Sequence, residues 1–155
     1  MADDATVTIS ATILPDEIAK TIAGTMTLSP ADANDKWYYK FTSVSNASTD
    51  LIAGYFTDYT AVDDDTAPTA VATADKVKFL FIKNTDGSND VYLVFDAGTA
   101  STSAGDGVFI GPSQTWFGRL PNTTVGNLHA ISSDIADTGD ASAALIVAAL
   151  IDDVA

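Results

Sequence analysis

The chain contains no cysteine. No disulfide framework, thiolate nucleophile or thiolate metal site can be built from it, and its redox compartment is left open. Glutamate occurs once, at Glu17, so the 21 acidic residues are almost all Asp. Asp favours turns and loops whereas Glu populates helix surfaces, and this choice argues against helices. Basic residues number only 7, giving a formal net charge of −14 and a pI near 4.1. Nucleic-acid affinity comes mainly from Lys and Arg neutralising phosphates, so no nucleic-acid partner is expected. Docking on an anionic membrane surface is disfavoured for the same reason. Long apolar runs are missing too. The richest stretch, ASAALIVAALIDDVA at 141–155, falls short of the roughly 18 consecutive apolar residues of a membrane span. The first residues, MADDATVTIS, are acidic where a signal peptide needs a basic segment and then an apolar core. They read as a protein made in the cytoplasm and left unprocessed.

What the chain does have is a hydrophobic fraction of 46%, a mean hydropathy of +0.16 and 155 residues, enough for one well-formed core. A second independent domain is cramped at this length. Thr, Ser and Gly are frequent, in keeping with strands and turns. The acidic excess favours solubility at high copy number and equally suits a salt-rich medium.

Organisation centres on 75–96, ADKVKFLFIKNTDGSNDVYLVFD together with Ala74. Val77–Ile82 and Val91–Phe95 are apolar runs separated by the turn cluster NTDGSND, and they predict a β-hairpin. Large apolar groups on both faces of the first run place it in the middle of a sandwich rather than half in water. Ala5–Leu14 and Gly24–Ser29 alternate polar and apolar residues as half-buried strands do. Pro15-Asp16-Glu17 reads as the start of a helical turn. Lys36–Val44 is an aromatic strand with Trp37, Tyr39 and Phe41 on one face, and Leu51–Tyr59 is a further candidate strand. Val108–Ile110, a Gly111-Pro112-Ser113 turn and Thr115–Leu120 as its return, a turn at Pro121-Asn122-Thr123, Val125–Ser132 and Ala144–Ile151 complete the series. Short strands in steady succession predict an all-β fold, a jelly-roll-like or Greek-key sandwich with little helix. Residues 75–155 are expected to hold the sandwich core. Residues 1–74 are expected to form a β-rich arm or subdomain that completes the same sheets or reaches a neighbour, and 60–74 are either a long loop or a hinge.

Chemistry is sparsely signalled. His129 lies near Ser132 and Ser133, but no GxSxG elbow accompanies them, and a structural or interface role is the simpler reading. The abundant loop carboxylates read as solvated turns rather than as a glycosidase pair. Asp63-Asp64-Asp65, Asp86 with Asn89-Asp90, and Asp152-Asp153 are oxygen-rich loops of the kind Ca2+ or Mg2+ prefers, yet none follows an EF-hand pattern. Gly105-Asp106-Gly107 and Gly111-Pro112-Ser113 lack a P-loop Lys and a following helix. Trp37, Tyr38, Tyr39, Tyr55, Phe56, Tyr59, Trp116 and Phe117 would serve as sugar-stacking platforms or, more simply, as core and subunit interface. No catalytic, cofactor-binding or metal-binding residue is assigned, and no cofactor is expected.

Four segments, TILPDEIAKTIAGTMTLSPADANDKWYYKF, DKVKFLFIKNTDGSNDVYLVFD, LPNTTVGNLHA and ALIVAALIDDVA, together resemble small virion structural proteins of tailed phages infecting marine cyanobacteria. The resemblance covers most of the chain. It implies a non-enzymatic β-sandwich component of a bacteriophage particle, present in many copies, and it carries over no functional residue. The expectation is a capsid decoration or cement protein, located in the virion. Its partners would be the major capsid protein, other virion proteins and copies of itself, with a trimer the expected homo-oligomer. A tail, neck or fibre component, or a carbohydrate-binding host-adhesion module, is the alternative.

Overall fold

The computed structural model describes residues 4–13, 20–32, 34–52, 71–103, 107–133 and 142–152. Among the described residues ten strands appear in order: β1 (Ala5–Ile13), β2 (Lys20–Leu28), β3 (Asp35–Val44), β4 (Thr49–Asp50), β5 (Lys76–Asn84), β6 (Val91–Val94), β7 (Val108–Ile110), β8 (Thr115–Thr124), β9 (His129–Ser132) and β10 (Ala143–Asp152). A single 3-10 turn, Val125–Asn127, precedes β9. The fold is all-β, as its composition predicts. No helix among the described residues is long and apolar enough to cross a membrane.

Two compact units divide the chain, Met1–Ala33 and Asn34–Ala155. The first holds an antiparallel ribbon of β1 and β2, paired from Ala5↔Leu28 to Ile13↔Lys20. Period-2 alternation sorts its side chains cleanly. Ala5, Val7, Ile9 and Ala11 share one face with Leu28, Met26, Gly24 and Ile22, while Thr6, Thr8 and Thr12 share the other with Thr27, Thr25 and Thr21.

The second unit contains two four-stranded antiparallel sheets, ordered β3-β10-β5-β8 and β4-β9-β6-β7. Of the successive connections from β3 to β10, only β6 to β7 joins neighbours in one sheet; every other step crosses to the opposite sheet. That interleaving of eight strands in two sheets is the jelly-roll topology. The inner faces meet in one core, with Leu80, Ile82, Leu145, Val147 and Ala149 from one sheet and Val91, Leu93, Ile110 and Ala130 from the other. β10 is central because it is apolar along its whole length. It pairs with β3 over ten positions and with β5 on its other side. Its inward residues Leu145, Val147, Ala149 and Ile151 are fully buried, while Ala144, Ile146 and Ala148 on the other face are half-buried.

The expected hairpin of Val77–Ile82 and Val91–Phe95 is corrected. β5 and β6 lie in different sheets, so 85–90 is a corner of the sandwich. The reason lies in Asn84, which is fully buried at the end of β5. Its Nδ2 donates to the carbonyls of Asn89 (2.7 Å) and Gly111 (3.1 Å), and its Oδ1 accepts from the Asp86 amide (3.0 Å). Polar satisfaction inside the core thereby turns the chain across the sandwich instead of back along it. The same correction applies to Thr115–Leu120, which follows Val108–Ile110 in sequence but belongs to the other sheet. Pro121-Asn122-Thr123, expected as a turn, continues β8. A proline is admissible there because β8 is an edge strand. Val125–Ser132 is strand only from His129. Gly107 lies too close to the Leu93 carbonyl for any Cβ to fit. The helical turn expected to start at Pro15-Asp16-Glu17 lies outside the described residues, as do 53–59 of the candidate strand Leu51–Tyr59, whose first two residues, Leu51 and Ile52, form a bend after β4 rather than strand.

Candidate functional site

β9 alternates faces, so His129 and Ile131 point outward while Ala130 and Ser132 point into the core. His129 faces Asp50 across the β4–β9 pair, and its Nε2 lies 2.8 Å from Asp50 Oδ1. Its Nδ1 lies 2.6 Å from the Gly98 carbonyl oxygen. Both ring nitrogens therefore face acceptors, and neither is directed at a serine. Ser132 is buried on the opposite face of the strand, and the Ser133 Oγ accepts from the Asp90 amide (2.8 Å). The His129–Ser132–Ser133 grouping suggested by sequence spacing is not assembled into a proton relay. It is a cross-strand clamp that ties β4, β9 and the loop after β6 together. The partner of His129, Asp50, is distant in sequence and is brought in only by strand pairing.

Asp50 also borders a pocket of about 300 Å³ lined by Thr42, Ser43, Val44, Ser45, Thr49, Leu51 and Ser142. Hydroxyl groups dominate this wall, and none of the described residues lining it is aromatic.

Two of the carboxylates proposed for cation binding, Asp86 and Asp152, have partners within the chain. Asp86 Oδ1 accepts from the amides of Ser88 (2.8 Å) and Asn89 (2.7 Å), bracing the corner after β5. Asp152 Oδ2 lies 3.1 Å from Lys78 Nζ, which also contacts the fully buried carboxylate of Asp35 at 2.6 Å. Lys78 is the extra residue of a β-bulge: Val77 pairs with Ile151 and Phe79 with Leu150. Burial pulls the Lys78 ammonium down, but the bonds to Asp35 and Asp152 outweigh it and hold its pKa above the ordinary lysine value. Asp63, Asp64, Asp65 and Asp153 lie outside the described residues.

The aromatic set divides by strand parity. Tyr38 is core, and Trp116 points inward, packing against the core and lying 5.6 Å from Phe95 between ring centroids. Trp37, Tyr39 and Phe41 point outward on β3, as the alternation predicts. Tyr55, Phe56 and Tyr59 lie outside the described residues. Register extends the outward row across the whole sheet: Tyr39 pairs with Ala148, Ala148 with Phe81, and Phe81 with Phe117. The next row runs Phe41, Ile146, Lys83 and Thr115. On the other side, Trp37 and Phe79 flank Leu150 with their rings 6.3 Å apart, which accounts for Leu150 being 3% exposed although it points away from the core. Tyr39 and Phe41 remain 55% and 62% exposed. The opposite sheet has a smaller outer cluster, where Tyr92 pairs with Ile131 and Phe109, and the Phe109 ring is 55% exposed.

Charge follows the same division. Six of the seven basic residues, Lys36, Lys40, Lys76, Lys78, Lys83 and Arg119, belong to strands of the β3-β10-β5-β8 sheet, and the other sheet's strands carry none. Sequence reading named Phe117 alongside the β3 aromatics but missed Phe81, Ile146 and Ala148 as their companions. Each looks like core in its own strand, and only the pairing register shows that they share an outer face.

Comparison of the chain with protein-family models, with curated proteins and with solved structures returned no match.

Proposed function

We propose that the chain is a non-enzymatic structural protein of a phage virion, acting as a capsid decoration or cement protein through protein–protein contacts. The observation that carries this reading is the pair of aromatic outer faces, one on each sheet of the sandwich, with Tyr39 and Phe41 on one and Phe109 on the other. Contiguous apolar surface of this kind marks interaction sites. A cement protein must hold a neighbour and the shell at once, and two faces on opposite sides of a rigid sandwich meet that need. The resemblance of the four sequence segments to small cyanophage virion proteins supports the same reading, and jelly rolls are a recurrent fold of viral shells by analogy of architecture.

In this role the partners are the major capsid protein and copies of the chain itself, with a trimer as the expected oligomer. Added contact area across shell subunits favours the assembled state by mass action. The strongly acidic remainder of the surface keeps particles dispersed. A tail, neck or fibre position uses the same faces with different symmetry. A second reading, a glycan-binding adhesion module, is favoured by one observation, the hydroxyl-lined pocket beside Asp50.

Cryo-electron microscopy of purified particles, with the copy number of this chain measured from the map, separates these readings. Density repeating over the icosahedral shell supports decoration. Density confined to the tail or neck replaces it with the tail alternative. Absence from all particles, together with binding on a glycan array, moves the function to adhesion.

A further inference from the structure

Strand pairing brings three charged side chains together at one end of the β3-β10-β5-β8 sheet. Asp35 opens β3 directly opposite Asp152, the last residue of β10, and Lys78 reaches both from its bulge on β5. The Asp35 carboxylate is fully buried, and the next cross-strand row on that face is the apolar set Trp37, Leu150 and Phe79. Lys78 Nζ lies 2.6 Å from Asp35 Oδ1 and 3.1 Å from Asp152 Oδ2. An amine, a buried carboxyl group and a second carboxylate in mutual contact suit amide formation as well as an ion pair.

We propose that Lys78 and Asp35 join in an intramolecular isopeptide bond, with Asp152 as the group that moves the proton. The reaction starts with transfer of one proton from Nζ to Asp35 along the 2.6 Å contact, which turns the ion pair into a neutral amine and a carboxylic acid. The Nζ lone pair then attacks Asp35 Cγ, forming the N–C bond. Asp152 takes a proton from the attacking nitrogen and passes it to the departing carboxyl oxygen, whose C–O bond breaks, and one water leaves. Amine and acid give amide and water, so no outside reagent enters and Asp152 ends as it began.

Geometry and environment favour the step. With ordinary carboxylate geometry, the 2.6 Å oxygen contact leaves Cγ about 3–3.5 Å from Nζ, the range of a near-attack conformer. Rotation about Cβ–Cγ turns the carboxyl face toward the amine. Groups held this way react at an effective concentration of about 10⁵ M or more, which dilute solution never supplies. Loss of both charges also relieves the cost of keeping the Asp35 carboxylate away from water. Asp35 is the acyl partner rather than Asp152, which lies farther from Nζ and is 30% exposed. The raised pKa of Lys78 makes the ion pair the prevailing form, so the neutral pair is a minor state and the bond forms gradually after folding. The alkaline titration of Lys78 belongs to chains not yet linked. Once made, the bond ties β3 to β5 across β10 and spans 43 positions of sequence. It gives a chain without cysteine the cross-link that a disulfide would supply. The inference concerns the chain itself and stands independently of any virion role.

The test uses the full chain, purified and incubated in its folded state at neutral pH. A tryptic digest should contain residues 21–36 joined to 77–83 through Lys78, which trypsin no longer cuts, and the intact chain should be lighter by one water. Mass alone does not decide, since the Asp86-Gly87 and Asp106-Gly107 pairs also lose water on cyclising, whereas the linked peptide is specific. Lys78→Arg keeps a positive charge at this position but has no amine to acylate. Its digest should lack the linked peptide, and it should melt at a lower temperature than the linked wild type. Asp152→Asn should slow linkage about a hundredfold or more with the β-sheet circular dichroism unchanged. Complete cleavage at Lys78 in the folded wild type after prolonged incubation would overturn the proposal, as would a link to Asp152 in place of Asp35. Linkage at an undiminished rate in a folded Asp152→Asn chain would overturn the role given to Asp152. None of these outcomes bears on the particle copy number that tests the virion reading.

Discussion

Asn84 shows how much one side chain decides. It is a polar residue inside an apolar core, and its amide satisfies three groups on two segments: Asp86 and Asn89 in the corner after β5, and Gly111 in the turn after β7. Asn84→Leu removes all of these bonds while leaving the buried amide and carbonyls behind, so unfolding in urea should show a loss of about 3 kcal/mol. A loss below about 0.5 kcal/mol would mean that solvent replaces those bonds. Lys78 is the charged counterpart. Lys78→Met leaves the buried Asp35 carboxylate without this partner and should cost about 3 kcal/mol, again read from the denaturation midpoint. The sign of its pH dependence follows from the raised pKa. Folding binds this proton more tightly than the unfolded chain does, so the contribution is fully present below the unfolded lysine value. It is lost as pH rises through the higher folded value. Wild type should therefore lose stability at strongly alkaline pH more steeply than Lys78→Met, in parallel thermal melts. The composition placed neither residue: Asn84 read as a turn residue and Lys78 as an interruption in an apolar run.

At the scale of the element, β10 is the test case. ALIVAALI suits a buried helix as well as a buried strand, and the succession of turn signals around it decides for the strand. The structure places it in the middle of a sheet, paired along both edges, with Leu145 and Val147 fully buried. Leu145→Ala should destabilise the fold by about 3 kcal/mol, since close packing on both sides prevents collapse around the cavity. An exposed control, Phe41→Ala, should change stability by less than about 0.5 kcal/mol. The central run Val77–Ile82 was likewise legible as a strand in the middle of a sandwich. Its partner was not, because apolar strands on either side of an Asp-Gly loop look the same whether they pair side by side or meet across a core. His129 has the structural role that was its simpler reading, but its partner was not legible for a related reason. Spacing along the chain suggested Ser132, but parity turns the two residues to opposite faces, and strand pairing supplies Asp50 instead.

For the whole molecule, all eight strands of the sandwich lie within Asn34–Ala155, the second compact unit. A fragment of those residues should keep a cooperative melt and the β-sheet circular dichroism spectrum. Loss of the cooperative transition would show that the first 33 residues are part of the fold itself. The chemistry of the sequence alone determined a good deal. Absent cysteine excluded disulfides, scarce Glu and abundant Thr set the all-β class, and period-2 alternation put Trp37, Tyr39 and Phe41 on one face. These are local properties, fixed by side-chain chemistry and backbone geometry within a few residues. The interleaving of strands between two sheets, the clamp of His129 on Asp50, the Lys78 bulge and the aromatic row from Tyr39 to Phe117 were decided only in three dimensions. Each depends on which strands pair and in what register, and that choice is made by burying apolar faces against partners far away in sequence.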